Sequence, residues 1–430
     1  KKAFDKQCKY VNVAANHDYV ARLQDPRKHR RSFFIKPELI VPGPSEDNRT
    51  RKPRGIQGAM DEILNVCLGP FLTAVSKAMS KPFNDVDIDD SSATVWPRWC
   101  YTSGARTEQV GQWFSDWRDA GADFYEDDFS AFDSTQGRGC HETELEFFQK
   151  FRPSEEALAV LRGQSHTVGE GKWWDYEVPY TRKSGDQNTS AGNTLLNFLV
   201  HDAAICIFCH ERNTPIPSYS MVGLGDDNVL AISWGNEEHA RDFGSFAGPW
   251  IQQTFGLNTR KFKRVGEEAS YCSMEFVPVT RNGRATYALV PGIERYLCKF
   301  GWTISGPIGR PEQHDAYAYM RLKGCVLSVP SLRVIPVLRV LYDFYSRIEL
   351  DAIEPEHYDG KMQHCVVVGD SRTERFYADL YGIGINNLRE VEAHLSNHLR
   401  RTGGGMSVWG HPALDTMVAR RRSAEAVGVG

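Results

Sequence analysis

Long apolar runs are missing from this sequence, since no stretch reaches the ~18–20 apolar residues that a membrane-spanning helix requires. The best candidate, residues 195–209, is interrupted by Asn197, His201 and Asp202. The first residues also lack the apolar core of a secretory signal peptide. We therefore expect no transmembrane segment and no secretion. Because the chain does not begin with Met, we expect a processed product, a read-through segment or a trimmed chain.

Cysteine is scarce, with ten among 430 residues, which excludes a disulfide scaffold and fits reduced thiols in a cytosolic protein. The sequence has no internal repeat and no Gly-x4-Gly-Lys-Ser/Thr loop, so we expect neither a solenoid nor a helicase. Hydrophobic residues make up 41% and charged residues 25%, the composition of a globular protein. The length predicts two or three lobes.

Excess charge of one sign is also absent from the whole chain, whose formal net charge is −4. Residues 21–54 nevertheless carry ten basic side chains against four acidic ones. A basic segment on an acidic body suggests that one face holds a polyanion, although a solvated charged face would have the same composition.

The apolar periodicity predicts a chain of mixed helices and strands. We expect a short strand over 122–129 and two strands over 219–224 and 229–233 that flank a tight turn at 225–227. A second hairpin is expected from strands over 271–279 and 285–290. Helices are predicted over 106–120, 141–163 (interrupted near Pro153) and 189–212, and over most of the chain beyond residue 308.

Three polar segments stand out against this background. They are Asp128-Phe-Ser-Ala-Phe-Asp133, Ser184-Gly-Asp-Gln-Asn-Thr-Ser-Ala-Gly-Asn193 and Gly225-Asp226-Asp227. Each alone is typical of an exposed turn or strand end, where Asp is common for local reasons. Together they supply carboxylates from separate strands, which a site with two hard cations about 3.5–4 Å apart requires for phosphoryl transfer.

The order of these segments resembles the palm of viral RNA-dependent RNA polymerases of positive-strand RNA viruses, and looks most similar to the tombusvirus-like group. Two flanking segments, Phe34-Ile-Lys36-Pro-Glu and Lys52-Pro-Arg54-Gly-Ile56, resemble the basic fingertip motif of that family. Tyr271-Cys-Ser-Met-Glu-Phe276 resembles its hairpin motif at the palm–thumb border.

The resemblance implies an α+β right-hand polymerase fold, with an antiparallel palm sheet flanked by helices and a mostly helical thumb. It also implies a division of the chain into lobes. We expect fingers over 1–120 (fingertip motif 34–56), palm over 121–139, a fingers insertion over 140–182, palm again over 183–300, and thumb with a C-terminal tail over 301–430.

Site residues follow from the same resemblance. Asp128 and Asp226 are implied metal ligands, with Asp227 a weaker or indirect one and Asp127 the register alternative to Asp128. Asp133 and Asn193, supported by Thr189, are implied to recognise the ribose 2′-hydroxyl, and Ser184 and Gly185 to shape the base-pair pocket. The residues implied to hold the triphosphate are Lys36, Lys52 and Arg54. Lys261 is implied to protonate pyrophosphate, with Lys263 as the alternative, unless both are solvent lysines without this role.

The implied reaction is template-directed RNA synthesis from NTPs with Mg²⁺, which Mn²⁺ would replace. The implied partners are template and nascent RNA, NTPs, and other viral replication proteins that supply membrane anchoring in the host cytoplasm. Primer-dependent and de novo initiation both stay open. Asp133 and Asn193 argue against a reverse transcriptase, the intact carboxylates against a non-catalytic RNA-binding scaffold, and the Ser-Gly and basic motifs against a glycoside hydrolase.

Overall fold

The computed structural model describes residues 30–35, 55–59, 62–89, 94–171, 174–266, 268–300, 314–348 and 367–404. These residues divide into two compact units. Unit 1 comprises the described residues up to 105 and residues 117–272, and unit 2 comprises 106–116 and the described residues from 273 onward. The predicted boundaries of fingers, palm and thumb stay predictions.

Unit 1 combines short strands with helices, and its main sheet is mostly antiparallel, as in an α+β domain. Its elements are β1 (Arg31–Ile35), β2 (Gly55–Ala59), α1 (Glu62–Asn84), β3 (Trp99–Tyr101), the end of α2 (Thr107–Asp119), β4 (Asp123–Phe129), α3 (Phe132–Thr135), α4 (Arg138–Gln149), α5 (Glu155–Gly163), β5 (His166–Glu170), β6 (Asp175–Pro179), α6 (Thr189–Glu211), β7 (Ser218–Leu224), β8 (Asp227–Ser233), α7 (Glu237–Phe255), β9 (Thr259–Val265) and β10 (Ser270–Tyr271).

The main sheet of unit 1 has five strands in the order β3-β7-β8-β4-β9. In the series β7-β8-β4-β9, each strand is antiparallel to its neighbour, whereas the edge strand β3 pairs parallel with β7. The predicted antiparallel palm sheet is therefore confirmed except for this edge strand. A second sheet, in the order β2-β1-β5-β6, joins strands distant in the chain.

Helix α6 is the central core helix of unit 1, and it packs against α7 and β7. Its apolar side chains, such as Leu196, Ala204 and Phe208, are buried. By length and composition, α1 and α6 are both apolar enough to cross a membrane, with 33% and 72% of their apolar windows buried in the protein. These two properties are weak grounds for a membrane span, because buried core helices of globular proteins share them.

Unit 2 begins with residues 106–116, which include most of α2. The aromatic face of this helix packs on a long hairpin. Phe114 stacks on Phe276 with ring centroids 4.2 Å apart. The hairpin and the helices that follow it are β11 (Met274–Arg281), β12 (Arg284–Pro291), α8 (Ile293–Lys299), α9 (His314–Leu327), a 3-10 helix (Pro330–Val334), α10 (Leu338–Tyr345), β13 (Val367–Val368), α11 (Ser371–Tyr381) and α12 (Ile385–Thr402).

Most of the predicted elements are confirmed within a few residues, including the helix break around Pro153. The hairpin predicted to begin at Tyr271 differs. Cys272 and Ser273 have positive φ angles of 52° and 62°, so the backbone leaves the extended conformation and β11 begins only at Met274. A residue pattern of period two does not reveal such a break, because the polar–apolar alternation continues through it.

Candidate active site

Asp128 of the first polar segment lies beside Asp226 and Asp227 of the third. They lie at the edge of the main sheet where β4 ends and β7 turns into β8. Asp127 lies opposite Asn228 in the β4–β8 pair, and Leu224 lies opposite Asp227 in the β7–β8 pair. Because adjacent strands lie about 4.8 Å apart, the end of β4 and the β7–β8 turn are neighbours. Asp128, Asp226 and Asp227 are exposed there.

Side-chain alternation separates Asp128 from Asp127. Successive residues of a strand point to opposite faces, so Asp128 is exposed whereas the side chain of Asp127 is 0% exposed. The inward carboxylate lies 3.3 Å from Nε2 of His201 on α6. The structure thus gives Asp127 and Asp128 different environments, and Asp128 is the one that faces solvent beside the turn.

The turn that carries Asp226 is anchored to α6 by hydrogen bonds. Gly225 has a φ of 71°, a left-handed conformation that favours glycine. Its N–H donates to Thr194 Oγ1 at 2.7 Å. Asn197 Nδ2 donates to the carbonyl oxygens of Gly225 and Asp226 at 3.2 and 3.1 Å. These bonds hold the backbone of the turn while leaving the Asp226 side chain exposed.

The chemistry of these carboxylates fits a hard divalent cation. Mg²⁺ usually takes one or two protein carboxylates and completes its shell with water and substrate phosphates. Among the described residues, no group of three or more His, Cys, Asp or Glu side chains surrounds a single point. The exposed carboxylates of Asp128, Asp226 and Asp227 at this edge of the sheet are oxygen ligands of the kind that Mg²⁺ takes.

Cys272 borders the same edge. Burial raises the pKa of its thiol, and the neighbouring carboxylates of Asp227 and Asp226 add to the increase, so that the pKa is about 12. The thiol is therefore protonated at neutral pH. Asp226 and Asp227 place two adjacent carboxylates at this turn, and their negative charge would favour a bound cation.

Asp133 and Asn193, from the first and second polar segments, contact each other. Ala131 has a φ of 54°, and this left-handed residue precedes the short helix α3 that carries Asp133. Asn193 Nδ2 donates to Asp133 Oδ1 at 2.7 Å. Asn193 is buried, whereas Asp133 is half-buried. Of the two, Asp133 is the more accessible to a ligand.

The amide of Asn193 is held in one orientation by a buried network. Its Oδ1 accepts from Gln136 Nε2 at 2.8 Å and from Arg182 Nε at 3.0 Å, so both lone pairs are used. Arg182 also forms a bidentate pair with Glu144, at 3.0 and 2.6 Å. Burial opposes the charge of Arg182, but Glu144 outweighs it, so the pKa of the guanidinium is raised.

The Ser-Gly turn sits tightly against β2. Gly185 N–H donates to the Gln57 carbonyl at 2.9 Å, and a Cβ on Gly185 would lie 2.4 Å from that oxygen. Gly185 is therefore needed for close approach. The φ angle of Gly185 is not positive, so the position requires a small residue rather than a left-handed backbone. Thr189 Oγ1 contacts the carbonyls of Lys183 and Asp186 at 2.9 and 2.8 Å and holds the turn together.

Lys183, directly before Ser184, lies beneath this turn. Its ammonium donates to the carbonyls of Tyr180 and Thr181 at 2.9 and 3.0 Å, and to that of Gln164. Tyr180 and Thr181 have φ angles of 55° and 56°, so the lysine fastens two left-handed residues. Burial lowers the pKa of Lys183 to about 7 despite the attraction of Asp186, and Arg31 and Arg182 contribute to the decrease.

Lys183 is expected to make stability depend on pH. Its pKa is about 10.4 in the unfolded chain and about 7 in the folded protein. Between these values the unfolded state binds more protons, so the free energy of unfolding should rise by up to ~1.4 kcal/mol per pH unit. Urea unfolding at pH 7, 8 and 9 should show this slope in the parent and a smaller slope in Lys183→Met. Equal slopes would contradict the assignment.

The basic residues predicted from the resemblance are placed only in part. Lys36, Lys52 and Arg54 lie outside the described residues. On β9, Lys261 is the register partner of Asp128 and Lys263 that of Glu126. Lys263 Nζ lies 3.1 Å from Glu126 Oε2, so this lysine is engaged in an ion pair.

Several residues of the buried network do not stand out in the sequence, among them Gln136, Glu144 and Arg182. One signal for them exists. A Cβ on Gly192 would lie 2.1 Å from Glu144 Oε1 and 2.8 Å from an Arg182 nitrogen. A glycine in the first turns of an otherwise apolar helix can therefore indicate a side chain packed against the helix backbone.

Comparisons with known proteins agree with this geometry. A family model described as RNA dependent RNA polymerase matches residues 91–247, which contain all three polar segments. The chain is also similar to a crystal structure of the RNA-dependent RNA polymerase of a human picorbirnavirus, with a TM-score of 0.54 and 14% identity. That similarity covers 74% of this chain and 55% of the other, so the chain spans little more than half of that polymerase. No curated protein matches the chain.

These two matches confirm the predicted resemblance to viral RNA-dependent RNA polymerases and the predicted right-hand polymerase fold. At 14% identity the structural match speaks for the fold, and the family match speaks for the segment that carries the aspartates. The closer resemblance to the tombusvirus-like group stays a prediction.

Proposed function

We propose that this protein is an RNA-directed RNA polymerase that copies an RNA template. The observation that carries the proposal is the meeting of two strand ends that bear exposed aspartates, in the same unit as the Asp133–Asn193 pair. The family match over residues 91–247 and the polymerase fold support it. The reaction is attack of an RNA 3′-hydroxyl on the α-phosphate of an NTP with release of pyrophosphate.

Each polar segment has a distinct part in this reaction. Asp128 and Asp226, with Asp227 beside them, would hold divalent cations. When bound, Mg²⁺ lowers the pKa of the attacking hydroxyl and neutralises charge on the phosphates. Mn²⁺ would serve in its place. The hydrogen bonds that the turn makes with Thr194 and Asn197 fix its backbone in advance, so the carboxylates need little reorganisation when substrate arrives.

The Asp133–Asn193 pair would recognise the ribose. Asp133 is accessible and accepts hydrogen bonds, so it can accept from a 2′-hydroxyl. Asn193 holds Asp133 in place, because its own oxygen is saturated by Gln136 and Arg182. A site that forms a hydrogen bond with the 2′-hydroxyl favours NTPs over dNTPs. This preference distinguishes the proposed RNA polymerase from a reverse transcriptase.

Lys261 is the residue we propose to protonate the departing pyrophosphate. Lys263 forms an ion pair with Glu126. Lys261 lies opposite Asp128, a proposed metal ligand, in the sheet register. Lys36, Lys52 and Arg54 would contact the triphosphate. We further propose partner replication proteins that anchor the enzyme at membranes in the host cytoplasm.

The proposal is tested by extension of RNA on a homopolymeric RNA template with Mg²⁺, with and without a primer. Template-dependent incorporation of the complementary NTP is expected, and the unprimed reaction reports whether initiation is de novo. A folded protein that binds RNA but incorporates no nucleotide under either condition would instead favour a non-catalytic RNA-binding role.

The ribose assignment predicts a narrower sugar preference in Asn193→Ala. Loss of the amide removes the donor to Asp133 and one acceptor each from Arg182 and Gln136, so use of NTPs should fall more than use of dNTPs. Sites built to hydrogen-bond a hydroxyl discriminate by up to ~10⁴-fold, and we expect a tenfold or greater loss of that ratio. The ratio of kcat/KM for CTP and dCTP measures it. An unchanged ratio in both Asn193→Ala and Asp133→Ala would place sugar selection elsewhere.

A further inference from the structure

Helix α6 carries a polar stripe on the side that faces the main sheet. Thr194, Asn197 and His201 are spaced by three and four residues, the spacing that aligns side chains on one helix face. Asn197 and His201 are 0% exposed, and so is Thr194. Buried polar side chains are costly unless they are paired, so their partners indicate what the stripe is for.

Each member of the stripe contacts the backbone or side chain next to a proposed metal ligand. Thr194 and Asn197 bind the Gly225–Asp226 backbone, as described above. Asn197 Oδ1 also accepts from Asn228 Nδ2 at 3.1 Å, and Asn228 follows Asp227. His201 lies 3.3 Å from Asp127, which precedes Asp128. The stripe therefore reaches both aspartate-bearing strands from behind.

The orientation of the His201 ring is fixed by its other contacts. Nδ1 lies 2.8 Å from the Asn197 carbonyl, which can only accept, so Nδ1 carries a hydrogen. The ring stacks on Phe262 at 5.8 Å and meets Phe129 edge-on at 6.0 Å. Both aromatic rings belong to strands of the sheet, β9 and β4. Nε2 lies 3.3 Å from Asp127 Oδ2, a buried charge contact without hydrogen-bond geometry.

We infer that His201, through its contact with Asp127, is a positioning residue that sets the place of Asp128 relative to the Asp226 turn. This inference rests on the proposed function. Asp127 and Asn228 are register partners, so one helix face holds the two neighbours of the metal-binding residues at once. A shift of β4 against β8 would then require breaking the His201–Asp127 contact and the Asn197–Asn228 bond together.

Two substitutions of His201 separate this contact from general packing. Asn in place of His can retain the Nδ1 bond to Asn197 but is too short to reach Asp127. Gln extends an amide nitrogen to the position of Nε2. We expect His201→Asn to bind Mn²⁺ at least ~10-fold more weakly, and to lose about 10–100-fold in kcat for single-nucleotide incorporation. The KM for NTP should change less than threefold. His201→Gln should keep both values within about threefold of the parent.

Mn²⁺ binding is measured by electron paramagnetic resonance without RNA or NTP, so that it does not depend on activity. Ile205→Ala is the matched control, because Ile205 is 0% exposed and lies one turn further along the same helix. We expect it to lower the thermal unfolding midpoint while Mn²⁺ affinity and kcat remain within about threefold of the parent.

Parental Mn²⁺ affinity and kcat in folded His201→Asn would overturn the inference, as would equal losses in Ile205→Ala. If His201→Asn does not fold, Thr194→Val decides. This isosteric change removes the hydroxyl that accepts from the Gly225 N–H and donates to the Ser190 carbonyl, both at 2.7 Å, and parental Mn²⁺ affinity would then overturn the inference. A parent that incorporates no nucleotide contradicts the proposed function itself, whereas an active parent with indifferent variants contradicts only the role of the helix face.

Discussion

Asp226→Asn is expected to lose nucleotide incorporation by at least ~10²–10³-fold while the protein stays folded. Asp226 is exposed at a turn whose backbone is held by Thr194 and Asn197, so its side chain contributes little to stability. Replacing a carboxylate by an amide keeps the shape but removes the charge that a divalent cation needs. Single-turnover extension of a primed RNA at saturating Mg²⁺ measures the loss, and Asp128→Asn should behave alike.

The matched control is Asp119→Asn, at the exposed end of α2. Its side chain is 67% exposed and pairs with the neighbouring Arg118 at 3.4 Å. We expect incorporation within about twofold of the parent. Thermal unfolding midpoints within a few degrees for all three variants would show that the fold is retained. A folded Asp226→Asn protein with parental incorporation would refute the metal assignment.

Glu144→Gln is expected to be strongly destabilising although it removes no atoms from an apolar core. Glu144 and Arg182 are both 5% exposed in their side chains, and Glu144 also accepts from Asn188 at 2.7 Å. Removing one charge leaves the Arg182 guanidinium buried and uncompensated, which typically costs about 3–5 kcal/mol. Equilibrium urea unfolding followed by tryptophan fluorescence measures this change.

The same helix, α4, supplies the control. Glu142 pairs with Arg138 at 2.7 Å, but the two side chains are 56% and 72% exposed. Solvent screens such a pair, so Glu142→Gln should change the free energy of unfolding by ~0.5 kcal/mol or less. If Glu144→Gln were no more destabilising than Glu142→Gln, the buried pair would not hold the second polar segment in place.

Local patterns account for much of what was predictable. The amphipathic helix over 106–120 and the strand over 122–129 follow from residue spacing, and the structure contains Thr107–Asp119 and Asp123–Phe129 there. The tight turn at Gly225 follows from turn chemistry. These features depend on residues within a few positions of one another, so the sequence is sufficient to find them.

The partners of buried polar groups are of a different kind. Glu144 and Arg182 are 38 residues apart in the chain, and no local period connects them. The reason for Gly185 could not be found in the sequence either. The structure shows a close approach to the Gln57 carbonyl on β2, a strand far from it in the chain. Only a folded backbone brings that oxygen near.

By itself, the sequence determined that two adjacent aspartates end a strand and that two more follow a glycine at a turn. It favoured Asp128 over Asp127 and put the two on opposite faces of the strand, but it did not say which face is buried. The tertiary structure decided which aspartate is buried. Helix α6 packs on one face of the sheet, where His201 lies next to the buried Asp127, so Asp128 is exposed on the other face beside Asp226.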